Sequence, residues 1–191
     1  YKVTGVQTCA LPICSVVETL KRLQADMPPT LTFRAIEITS PNQTTDAKHK
    51  YQVLLDGTPS IERDMTALGS HHSTALAIAL DCLKVNAVCD MFENLMSANL
   101  TVPRFHINLS ISAACHHHFL DFLLSSISNS GIGTDRLCFE LRDSLRLRES
   151  AASQDFSRAL RSIGCLISIS EVNPSRGSTA ELQAQIGRAH V

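Results

Sequence analysis

Strand-like and helix-like segments alternate along the second half of the chain, and this order constrains the fold more than any other feature. Short apolar or β-branched segments lie at 104–111, 136–143 and 165–172, separated by segments of helical length and period at 117–128 and 150–163. Strand–helix–strand connections of this kind are right-handed and place their strands in parallel. The order therefore predicts an α/β domain, either a barrel or a doubly wound sheet.

The first half of the chain carries two further predicted strands and one long helix. The strands lie at 31–39 and 51–56, where apolar and β-branched residues are frequent. Apolar residues recur at spacings of three and four from about Ser73 to Ala98, which is typical of an amphipathic helix. A shorter periodic segment at 15–30, stopped by two prolines, is predicted to be a linker helix.

Composition excludes several functional classes. With 191 residues, 44% hydrophobic and 18% charged, the chain is expected to form one globular domain. A formal net charge of -1 offers no electrostatic basis for binding a nucleic-acid polymer. The long helix is too interrupted by charge to span a membrane. The cysteines within the predicted domain are odd in number and lack a C-x-x-C motif, so we expect a cytoplasmic setting, although a longer parent protein could carry a membrane anchor.

The two ends of the chain resemble translated sequencing adapter. Codons can be chosen for Ile186–Val191 whose reverse complement, GACGTGTGCTCTTCCGAT, lies inside a coding string for Val3–Ile13. One oligonucleotide read in opposite directions at the two ends of an insert would explain this complementarity. We therefore expect residues 1–14 and 186–191 to be non-native and exclude them from any site.

Polar side chains are concentrated where the predicted strands end. Functional groups of parallel α/β proteins collect at the carboxyl ends of the strands, and a polar residue in an apolar strand needs a partner or a function. The candidates are Gln52, Asp56, Asn108, Glu140, Asp143, Ser170 and Glu171.

Three motifs around these positions resemble the EAL domain family. They are "INLS", "LCFELRDS" and "LRSIGCLISISEVNPSRGS", which follow one another at helix-length gaps. They are similar to the family's N-L-S strand, its E-I-T-E-S strand and its A-L-D-D-F-G-T-G segment. The resemblance implies a modified triosephosphate-isomerase-type barrel that hydrolyses cyclic di-GMP to pGpG with Mg²⁺ or Mn²⁺. Residues 31–185 would then be a partial EAL-like domain, an incomplete barrel with only its early strands and helices.

The resemblance also implies which residues occupy the family's metal-ligand positions. Asn108 and Glu140 are retained, whereas Gln52 replaces a glutamate and Ser170 replaces an aspartate. Glu171 lies at the second position of the family's aspartate pair. We assign no residue a catalytic role. Losing two anionic ligands disfavours a site for two divalent cations, so we expect that Mg²⁺ or Mn²⁺ is not bound here.

Two further positions concern the substrate. Asp56 lies where the family has a phosphate-contacting arginine, which turns attraction into repulsion, and Asp143 is a conservative replacement of the second acid in its motif. The sequence thus predicts a degenerate, non-catalytic EAL domain that regulates or interacts within a cyclic di-GMP signalling protein. Its partners would be cyclic di-GMP itself, other proteins or an upstream signalling domain.

Two alternatives remain for the whole chain. It could be an active metal-dependent cyclic di-GMP phosphodiesterase with an unusual ligand set, or an unrelated α/β domain whose motifs match by accident. Longer sequence would distinguish the last case, because a family member should continue into a K-x-D strand and further acidic strand ends.

Two local features can also be explained by structure alone, without a functional site. Asn108 and Glu140 could simply satisfy buried backbone groups at strand ends. The run from His116 to His118 suggests a metal site, but consecutive helical residues point in different directions and cannot all bind one ion. We therefore expect the histidines to form a solvated helix start.

Overall fold

The structure is a computed structural model that describes residues 30–36, 50–56, 70–142 and 150–170. The predicted adapter-derived ends lie outside the described residues, as does the linker helix apart from Thr30. Two of the candidate site residues, Asp143 and Glu171, also lie outside them.

Five strands form one sheet in the order in which they occur along the chain. β1 and β2 pair in antiparallel fashion, whereas β2, β3, β4 and β5 are successive parallel neighbours. The strands are β1 (Thr30–Ile36), β2 (Lys50–Asp56), β3 (Arg104–Leu109), β4 (Leu137–Arg142) and β5 (Leu166–Ser170). The predicted parallel α/β sheet is confirmed. The antiparallel β1–β2 pair was not predicted, because the relative direction of two strands leaves no mark in periodicity.

Helices connect the parallel strands. They are α1 (Ser70–Ser97), α2 (Ile111–Ala114), α3 (His117–Ser130) and α4 (Ala151–Ser162), with a 3₁₀ turn at Thr134–Arg136. The long helix begins three residues earlier than the periodicity indicated. The single turn of α2 was missed because four residues are too few for a helical period to show. In the described segments, no helix combines the length and hydropathy needed to cross a bilayer.

The core lies between one face of the sheet and the helices. Alternate residues of the central strands, among them Phe105, Ile107 and Phe139, are at most 1% exposed. They belong to the same apolar cluster as Leu123 of α3 and Leu160 of α4. Alternation along a strand sends the intervening residues to the opposite face, where β3, β4 and β5 carry more polar side chains.

Local capping residues set the helix ends. The hydroxyl of Ser110 accepts a hydrogen bond from the Ala113 N–H at 3.1 Å, which starts α2, and Ser150 caps α4 in the same way. Gly131 and Gly164 follow α3 and α4 with φ of 69° and 96°, a conformation that glycine adopts without steric cost. A glycine directly after a periodic apolar segment is the local sequence signal of such a helix end.

The cysteines that the structure describes are free thiols. Cys138 and Cys165 are buried in or beside strands, in keeping with the predicted role of small apolar side chains. Burial, together with Cys138 nearby, raises the pKa of the Cys165 thiol to about 12. Because the thiolate is the reactive form, Cys165 is a poor nucleophile.

The histidine run starts α3, as predicted. His116 is the N-cap and makes no side-chain capping bond, and its ring stacks on that of His117 at 5.5 Å between centroids. His117 is exposed, but His116 is half-buried, so the start is only partly solvated. Burial lowers the pKa of His116, and the neighbouring imidazoles of His117 and His118 lower it further.

Matched leucine substitutions test the position of the core. Leu123 is 0% exposed and Leu100 is 57% exposed. We expect Leu123→Ala to lower the free energy of unfolding by about 2–5 kcal/mol, measured by urea denaturation, because it removes buried contacts and leaves a cavity. Leu100→Ala, the control, should change it by about 0.5 kcal/mol or less. Equal effects of the two substitutions would contradict the described packing.

The histidine start predicts a pH dependence of stability. A histidine whose pKa is lower in the folded state binds a proton more readily when unfolded. Its contribution to stability is therefore intact above about pH 6.5, the ordinary histidine value, and is lost as the pH falls below it. Thermal midpoints measured from pH 7.5 to pH 5 should fall less steeply for His116→Gln than for the parent. Parallel profiles would show that His116 does not contribute.

Candidate functional site

The candidate site lies on the sheet face opposite the core. Asn108 of β3 and Glu140 of β4 are direct register partners on adjacent parallel strands. Both alternate with buried leucines, since Leu109 and Leu141 are 2% and 0% exposed. The structure therefore brings together the two retained ligand positions that the sequence suggested, side by side near the carboxyl ends of their strands.

The two substituted ligand positions lie on either side of that pair in register. Gln52 pairs with His106, two residues before Asn108 on β3. Ser170 pairs with Arg142, two residues beyond Glu140 on β4. The four positions therefore fall on alternate rows of the sheet. Asp56 is the last residue of β2 and pairs with Thr30 of β1.

The exposure and hydrogen bonding of Asn108 and Glu140 test whether these side chains merely satisfy buried backbone groups at the strand ends. Asn108 is exposed and Glu140 is half-buried. Neither side chain hydrogen-bonds to another residue in the described part of the chain. A polar group serving only to satisfy buried backbone would be buried and paired. Among the described residues, neither side chain therefore acts to satisfy a buried backbone group.

Two side chains of α1 hydrogen-bond to the backbone at the end of β3. Asp81 of α1 is 1% exposed, and its Oδ2 accepts a hydrogen bond from the Ser110 N–H at 2.8 Å. Its Oδ1 accepts one from Lys84 Nζ at 2.6 Å. Lys84 Nζ also donates to the Asn108 carbonyl oxygen at 2.7 Å.

Sequence reasoning missed this function of Asp81 and Lys84, treating both only as charged interruptions of an apolar helix. The positions of Asp81 and Lys84 along the helix could have indicated this function. Asp81 falls on the buried stripe of α1 directly after Leu80, and Lys84 follows at a spacing of three, where helical side chains meet. A carboxylate in a buried stripe requires partners.

Arg142 is a third residue of this region that was not predicted from the sequence. It lies two residues beyond Glu140 on the same strand and is exposed, beside Ser170 in register. The period of two along a strand places it on the site face. The alternation of apolar and polar residues in "FELR" could therefore have placed Arg142 on the same face as Glu140.

The donor set does not fit the metal ions that the resemblance implies. Divalent cations such as Mg²⁺ and Mn²⁺ prefer oxygen ligands, chiefly carboxylates. At the four ligand positions, Glu140 is the single carboxylate, Gln52 and Asn108 are amides, and Ser170 is a hydroxyl. In the part of the chain that the structure describes, no three histidine, cysteine or acidic side chains lie close enough to share an ion.

Comparisons with solved structures identify the fold. The FimX EAL domain superposes with a TM-score of 0.65 at 16% identity, over 88% of this chain and 67% of that one. A FimX EAL domain from Pseudomonas aeruginosa bound to c-di-GMP gives a TM-score of 0.62 at 15% identity, over 88% and 66%. BlrP1 from Klebsiella pneumoniae, in a calcium and c-di-GMP complex, gives 0.57 at 14% identity, over 88% and 47%. This chain therefore spans about half to two thirds of the structures that it resembles.

Comparison of the sequence with family profiles is more specific. No curated protein matches the chain. The profile of the EAL domain matches residues 66–184, which include Asn108, Glu140 and Ser170, whereas Gln52 and Asp56 precede the match. A match over more than half of the chain, together with a partial barrel of parallel strands in the same arrangement as solved EAL domains, shows that the chain belongs to the EAL domain family.

Proposed function

We propose that this chain is a non-catalytic EAL module that regulates or interacts within a cyclic di-GMP signalling protein. The observation that supports this most strongly is the chemistry of the site face. Asn108 and Glu140 are retained in register, yet Ser170, which pairs two residues beyond Glu140, carries a hydroxyl where the family has an aspartate. A hydroxyl does not supply the anionic oxygen that such a metal site needs.

The charge of the four ligand positions supports the loss of two-metal chemistry. Two divalent cations close together need several carboxylates to offset their mutual repulsion. The four ligand positions supply one carboxylate. Without the paired ions, the water nucleophile and the phosphoryl oxygens lose the groups that would activate and stabilise them.

Nucleotide recognition does not need the same charge balance. Binding is satisfied by hydrogen-bond donors, acceptors and a cation near a phosphate, whereas hydrolysis also needs an activated water. The amide of Asn108 is a group of the first kind. Solved EAL domains of similar fold include one bound to c-di-GMP. We therefore propose cyclic di-GMP as the ligand that this module senses.

Active hydrolysis is the second candidate function, and one observation favours it. Asn108 and Glu140 remain exact register partners on an accessible face, as a working ligand pair would. Acidic groups at Asp143 and Glu171 could complete such a site.

Turnover distinguishes the two candidates. We expect hydrolysis of cyclic di-GMP by the full chain with Mg²⁺ or Mn²⁺ to equal a metal-free blank, assayed by chromatography of pGpG. The double reversion Gln52→Glu with Ser170→Asp should not restore turnover, because Asp56 remains at the family's arginine position. The control is Glu140→Gln, which removes the retained carboxylate. Metal-dependent turnover that Glu140→Gln abolishes would establish the active phosphodiesterase.

Substitution at Asp56 tests the nucleotide ligand. A carboxylate at the family's arginine position repels phosphate, and a guanidinium would bind it. Isothermal titration with cyclic di-GMP should show Asp56→Arg binding about 10-fold more tightly than the parent, since one hydrogen bond to a charged group contributes on that order. Asp56→Asn, which removes the repulsion alone, should fall between them. An arginine variant that binds no better than the asparagine variant would count against phosphate at this position.

A further inference from the structure

Asp81 and Lys84 make contacts that reach beyond their own helix. Each bonds to the other, and each also bonds to the backbone at the end of β3: Asp81 to the Ser110 N–H, and Lys84 to the Asn108 carbonyl. The two backbone groups flank Leu109, so the pair holds both ends of a three-residue segment. That segment begins with the exposed Asn108 of the candidate site.

Stability alone is a weak explanation for this arrangement. The Asp81 side chain is 2% exposed and that of Lys84 is 14% exposed. Removing a charge pair from water is costly, and replacing a buried pair with apolar residues of similar size is often neutral or stabilising. What apolar residues cannot reproduce is the pair of directional hydrogen bonds to the strand end.

We propose that Asp81 and Lys84 are positioning residues that hold the carboxyl end of β3, and with it Asn108, in register with Glu140. The assignment of Asn108 to a ligand site rests on the proposed function, whereas the anchoring of the strand end does not. Ser110 gives the anchor a second connection, because its hydroxyl caps α2 while its N–H is held by Asp81. The pair thus fixes the point at which β3 turns into α2.

Two double variants separate positioning from stability. Asp81→Leu with Lys84→Met removes both charges and the acceptor for Ser110. Asp81→Asn with Lys84→Met removes both charges but keeps a side-chain oxygen that can accept from the Ser110 N–H. Both should melt within about 5 °C of the parent, since the pair is replaced as a unit.

The decisive measurement is amide hydrogen exchange in the ligand-free full chain, followed by NMR. In the leucine variant, Ser110 should exchange about 10- to 100-fold faster than in the parent, because a hydrogen bond to a charged acceptor is lost. The asparagine variant should recover much of the protection. The amide of Phe139 in β4 reports global opening in the same samples and should not change relative to the parent.

A matched control uses another aspartate–cation pair of the same spacing. Asp155 and Arg158 form an exposed ion pair on α4. Asp155→Asn with Arg158→Met should leave the exchange of Ser110 unchanged.

Two results would overturn the inference. One is parental exchange at Ser110 in the leucine variant, and the other is equal acceleration at Ser110 and Phe139, which would make the pair a general stabiliser. Binding of cyclic di-GMP is measured separately, and the leucine variant should lose about 10-fold in affinity through misplacement of Asn108. A parent chain that binds no cyclic di-GMP would contradict the proposed function and leave the exchange result standing.

Discussion

The division of the parallel sheet into two chemically different faces is the constraint on which the rest of the structure depends. Phe105, Ile107 and Phe139 point into the helix layer, and burying them supplies the apolar contact that holds strands and helices together. Their intervening neighbours are thereby forced onto the other face. The row that contains Asn108 and Glu140 is a direct consequence of that alternation.

The sequence was sufficient for the features that periodicity encodes. Strand order, the helices between strands and the two glycine helix stops follow from local patterns, and the EAL resemblance is supported by the family profile and by the fold. The pairing of Asn108 with Glu140 could be expected, since parallel strands align their carboxyl ends. The antiparallel β1–β2 pair and the anchor from Asp81 to Ser110 could not, because no local pattern specifies the direction in which two strands pair or the backbone group that a buried carboxylate meets.

Under the proposed function, metal chemistry can be lost while the fold is retained, for a physical reason. Asn108, Glu140 and Ser170 are not among the buried apolar residues, so a hydroxyl in place of a carboxylate at Ser170 need not disturb the packing of Ile169. The charge of the site face, unlike the packing of the core, does change with such a substitution. Each neutral or cationic replacement on the site face changes the potential felt by any ion or phosphate there, even when no atom moves.

The one-residue alternation of β4 also affects how such a domain changes over time. Phe139 and Leu141 tolerate few substitutions, whereas Glu140 and Arg142 stand beside them and are free of that steric restriction. Substitutions at Glu140 and Arg142 can therefore change the polar side chains of this face without first destabilising the fold. A lineage can give up hydrolysis, drift through several ligand sets and acquire a new recognition function while the scaffold is maintained by selection on the opposite face.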